Sequence, residues 1–130
     1  MRLLWRREQR GSAVVDFVLL AVILMPIVLG ILHLALVLHV RNTLVSAASE
    51  GARHAATLDR GPADGRARTA QEIRGALAGR FARNIDARPT SIGGAPGVVV
   101  TVRATVPPLG LWGPATPLTA TGHAIDEAGQ

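Results

Sequence analysis

The chain has 130 residues, 14 of them arginine and none lysine or cysteine, with a formal net charge of +5. That length holds one compact unit beyond any membrane segment, and no disulfide can staple it. Scattered acids, absent lysines and 3% aromatic content argue against a nucleic-acid surface.

Residues 1–11 form a basic leader, with Arg2, Arg6, Arg7 and Arg10 against Glu8. From Phe17 to Leu38 run 22 residues with no formal charge when His33 is neutral. As a helix they extend about 33 Å, enough to cross a bilayer. Asp16, at the edge of that run, is a carboxylate in a costly place. The arginine-rich start puts the N-terminus in the cytoplasm and the larger C-terminal part outside. An ordinary secretory signal has a shorter apolar region, so a retained single-pass anchor is expected.

The pattern predicts one helix over 12–58, spanning the membrane over 17–38 and then emerging, with a kink or loosening at Pro26 and Gly30. In its emergent half Ala47, Gly51 and Ala55 form one small-residue stripe, and Ala48, Ala52 and Ala56 the next. Small residues four apart let helix backbones approach closely, so a partner helix is expected there.

Residues 59–130 read as a small α+β extracytoplasmic domain. Asp59–Gly65 is a turn by its Gly, Pro and Asp content. A second, amphipathic helix is expected over 65–84, with Ile73, Leu77 and Phe81 on its apolar face. Arg88–Gly97 reads as a linker. Alternation then predicts strands over 98–106 and 118–125, paired as an antiparallel hairpin whose apolar face covers the second helix. The loop between them holds Leu109, Leu111 and Trp112, which either plug the core or form a docking tip.

Chemistry is sparse. No phosphate-binding glycine loop is present, and His33, His39, His54 and His123 fall at no metal-ligand spacing. The serines lack a nucleophile context. Neither an enzyme, a cofactor nor a metal site is expected.

Gly11, with Asp16 five residues on at the head of an apolar helix, resembles a class III (prepilin-type) signal. The resemblance implies cleavage between Gly11 and Ser12 by a prepilin peptidase, with Asp16 in the acidic role usually held by glutamate. Arg10-Gly11-Ser12-Ala13-Val14-Val15-Asp16-Phe17, the Pro26 to Gly30 step, Arg41-Asn42 and Ala47-Ala48-Ser49-Glu50-Gly51-Ala52-Arg53 together resemble the TadE-like pseudopilins. These are minor pilins of tight-adherence (Flp) pilus systems, and the resemblance covers roughly residues 10–56. Many members carry an acid near the position of His33, and the role of that acid is not carried over. The family implies a pilin-like α+β structural protein in the cytoplasmic membrane, entering or priming a type IV-like pilus. Its partners would be the prepilin peptidase, other pilus subunits, Tad platform proteins and the lipid bilayer. Cleavage would remove three net positive charges and place a new α-ammonium one turn from Asp16. Two other readings stand beside it. One is an uncleaved single-span envelope protein with a small binding domain, and the other a basic peptide released near Ala47.

Overall fold

The computed structural model describes residues 5–110 and 113–126, with side chains from Gly11 onward. A helix α1 (Trp5–Ala55) leads into α2 (Pro62–Ala76) and a 3-10 turn (Gly79–Ala82). Strands β1 (Ile85–Ile92), β2 (Ala95–Val106) and β3 (Thr116–Ile125) follow, forming an antiparallel sheet in the order β1-β2-β3. The α+β class holds, with three strands where a hairpin of two is expected.

Helix α1 is uninterrupted by Pro26 and begins ahead of Ser12. One glycine at position 11 costs only about 1 kcal/mol of helix propensity, which the flanking residues outweigh. Beyond its end Asp59 adopts a left-handed backbone (φ 63°), turning the chain back. Helix α2 then starts on Pro62, whose fixed φ suits a first helical position. The Asp64 carboxylate accepts the Gly61 N–H at 2.9 Å, closing that end.

Helix α2 stops at Ala76, short of the expected 84, where Leu77 goes extended and its N–H bonds back to the Ile73 carbonyl at 2.7 Å. Gly75 and Gly79 flank this break, and both weaken a helix. Phe81 still reaches the core, carried by the 3-10 turn.

The expected linker 88–97 is instead mostly sheet. Ile92 pairs with Ala95 across Gly93 and Gly94, both at positive φ (57° and 86°), as a two-residue type I′ hairpin requires. Pro89 is accommodated because β1 is an edge strand.

Alternation along β2 turns Val98, Val100, Val102 and Val106 inward. The sheet lies chiefly on the C-terminal half of α1 rather than on α2. A Cβ on Gly122 would collide with the Ala48–Ser49 backbone, so strand and helix touch main chain to main chain. Helix α2 packs beside them and reaches β1. Val40, Leu44, Ala48, Ala52, Ile73 and Phe81 complete the core.

Two contacts set the direction of β3. Thr116 bonds to His33, while Gly122 lies at Ala48–Ser49, so β3 runs in the same sense as α1. The turns at 56–61 and 93–94 therefore lie at the far end of the unit, and the β2–β3 loop at the end nearest the apolar helix.

Candidate functional site

With little chemistry to assemble, the candidate functional surfaces are the exposed apolar helix and the places where helices pack. The apolar part of α1 is the largest. Its most apolar 18-residue window has a mean hydropathy of 2.8 and is 0% buried within the chain. Phe17, Leu20, Val22, Met25 and Ile31 all stand exposed. Leu36 and Val37, by contrast, already touch the core. By length and composition this helix can cross a membrane.

Gly11, Ser12 and Asp16 lie in the exposed first turns of that helix. Ser12 and Asp16 are one turn apart, on the same face. Asp16 makes no hydrogen bond or ion pair with the described residues, and a Cβ on Gly11 would meet nothing within 4 Å.

The small-residue stripe has a different setting. Ala47, Gly51 and Ala55 are buried, and the helix facing them is the chain's own α2. A Cβ on Gly51 would strike the Thr69 hydroxyl and come within 2.7 Å of the Gly65 carbonyl oxygen. One on Gly65 would lie 2.8 Å from the Ala55 Cβ and 2.9 Å from the Gly51 carbonyl oxygen. Thr69 is fully buried and donates its hydroxyl proton to the Gly65 carbonyl at 2.8 Å. Ala48, Ala52 and Ala56 are buried as well, Ala48 beneath Gly122. Both stripes are consumed inside the chain, leaving neither open to a separate subunit.

Glu50 joins the same contact from its rim. Arg68 lies 2.7 Å from Glu72 and 3.9 Å from Glu50, with all three side chains about a third to a half exposed. Such pairs contribute below about 1 kcal/mol each.

His33 sits where sequence and fold part company. Its Nε2 lies 3.2 Å from the Thr116 hydroxyl oxygen, and its Nδ1 is buried without a hydrogen-bond partner. A cleft of about 340 Å³ opens beside it, lined by Pro26, Leu29 and Gly30 of α1 and by Pro108, Leu109 and Pro114 of the β2–β3 loop. Residues 83 positions apart meet here, a contact with no local signal in the sequence. Gly65 and Gly122 also escape a sequence reading. A glycine paired with a small residue four positions on, as in Gly65 and Thr69, is the signal that points to the first of them. Leu111 and Trp112 lie outside the described residues. Among the described residues no group of three His, Cys, Asp or Glu side chains could hold a metal ion.

Fold and surfaces together define a membrane-length helix carrying a small α+β unit on its C-terminal half. The family model described as TadE-like protein matches residues 11–53. The TadE-like resemblance thus holds over nearly all of α1 from Gly11, and points to a component associated with a Tad pilus system. Helix α2 and the sheet lie beyond the match. No curated protein and no solved structure matches the chain.

Proposed function

We propose that this protein is a minor pseudopilin of a Flp/Tad-type, type IV-like pilus, held in the cytoplasmic membrane by α1 and trimmed after Gly11 by a prepilin peptidase. The observation that carries the reading is where the TadE-like match falls: it opens on Gly11 and covers the exposed apolar helix and the Glu50-Gly51-Ala52-Arg53 segment. In this reading the N-terminus faces the cytoplasm and the α+β unit lies outside. Trimming exposes the Ser12 α-ammonium one turn from Asp16, whose carboxylate offsets it in the same chain or in a neighbouring subunit. Contact with pilus subunits and with the Tad platform falls to the exposed part of α1, because α2 already covers Ala47, Gly51 and Ala55.

The test is the intact mass and N-terminal residue of the membrane-associated protein from its native host. A mature chain starting at Ser12 is expected, and Gly11→Arg should block its appearance. A chain starting at Met1 in a host that processes its other prepilins overturns the reading, and leaves an uncleaved single-span envelope protein.

A further inference from the structure

The end of the α+β unit nearest the apolar helix carries two features that pseudopilin assembly does not use. The first is the β2–β3 loop. Pro107 to Pro114 contains no charged residue, and three of its eight positions are prolines without a backbone N–H. The described residues of this loop lie against the apolar run of α1, not above it: a Cβ on Gly110 would touch the Leu29 side chain at 3.8 Å, and Thr116 reaches His33. Leu109 is exposed there.

The second feature is basic. Arg80, Arg83 and Arg103, all exposed, line one cleft of about 390 Å³ together with Asn84 and Thr119. No acidic residue lines it. The Arg80 guanidinium is held 5.1 Å over the Phe81 ring, and the Arg103 N–H is fixed by the Asn84 carbonyl at 2.9 Å. Asp86, the acid near this end of β1, lies 4.0 Å from Arg88.

Heights along α1 relate the two features. From Asp16 to His33 the helix rises about 26 Å. A hydrocarbon layer about 30 Å thick starting at Asp16 therefore ends just past His33, and the loop residue beside Leu29 lies about 10 Å inside that boundary. Arg103 pairs with Thr119, three residues beyond Thr116. At about 3.3 Å per residue it stands about 10 Å higher, in the headgroup layer.

We propose that this end of the unit is a second membrane contact. Pro107–Gly110 and Gly113–Pro114 dip into the outermost part of the hydrocarbon layer beside α1, about 10 Å at the deepest, and Arg80, Arg83 and Arg103 engage lipid phosphates above them. The occupant is the bilayer that holds α1, by continuity with its exposed apolar surface and by charge complementarity. Missing proline donors lower the cost of placing an irregular loop at that depth. The clefts then meet lipid, and the unit is fixed in height and rotation against the membrane. The inference rests on the membrane-anchored reading of α1.

The chain has no cysteine, so single-cysteine labelling of the full protein is unambiguous. Val22→Cys, Leu109→Cys and Ser91→Cys variants, each carrying an environment-sensitive fluorophore, are reconstituted in phosphatidylethanolamine–phosphatidylglycerol vesicles containing spin-labelled acyl chains. Expected is strong quenching at positions 22 and 109 and none at 91, which lies at the far end. Quenching at 22 with position 109 behaving like 91 overturns the proposal and leaves the membrane anchor intact. No quenching at 22 overturns the anchor itself. Position 109 shielded from both lipid and aqueous quenchers also overturns the proposal, because protein then covers the loop. Replacing Arg80, Arg83 and Arg103 together by glutamine should abolish the gain in quenching at 109 in phosphatidylglycerol-containing over neutral vesicles. An unchanged gain refutes the role given to the arginines.

Discussion

The two halves of α1 are one continuous helix built for different neighbours. Between residues 17 and 34 the side chains are mostly large and apolar and nearly all exposed, with Leu20 at 66% and Ile31 at 63%. Between 40 and 55 the helix becomes alanine-rich, and one side of it vanishes under α2 and β3. The difference follows from what covers each half. In the proposed membrane span fluid acyl chains would conform to any large side chain, so bulk and hydropathy suffice in the first half. The second half is covered by backbone, at Gly65 and Gly122, and only small residues permit that approach.

The sharpest way to break this contrast is Gly122→Val. Its side chain would occupy the Ala48–Ser49 backbone, and the sheet should detach at a cost on the order of 3 kcal/mol or more, read as loss of a cooperative thermal transition. Ile73→Ala removes a fully buried side chain between α2 and the core, and a destabilisation of about 3 kcal/mol is expected by denaturant titration. In the other half, Ile27→Arg, at the middle of the apolar run, should leave that transition unmoved yet raise the cost of membrane insertion by about 2.5–3.5 kcal/mol, measured as the inserted fraction in a translocation assay. Gly30→Ala meets nothing within 4 Å and should favour the helix by about 1 kcal/mol, the opposite sign to a substitution at Gly51. Smallest of all, Arg68→Ala should cost below about 1 kcal/mol and lose even that at high salt.

Legibility in the sequence follows the same division. The exposed half was readable because hydropathy and length alone define it. The stripe at Ala47, Gly51 and Ala55 was visible, but its partner was not, since only the return of the chain through Asp59 shows that α2 fills it. Strand β1 read as a linker because Pro89, Gly93 and Gly94 are breakers in isolation. An edge position and a type I′ turn convert them into sheet residues. In the sequence the Pro107–Pro114 loop is equally a core plug or a docking tip, a choice that depends on its height along α1, which the His33–Thr116 and Leu29–Gly110 meetings supply.

The shared direction of α1 and β3 has a mechanical consequence. A pull on the far end of β3, opposed by a hold on the first turns of α1, acts along the strand axis. Hydrogen bonds between antiparallel strands lie perpendicular to that axis. The ladder joining β3 to β2, from Gly97–Ile125 to Val106–Thr116, is then loaded in shear, all rungs at once, instead of being peeled open rung by rung. The unit meets tension along its strongest direction.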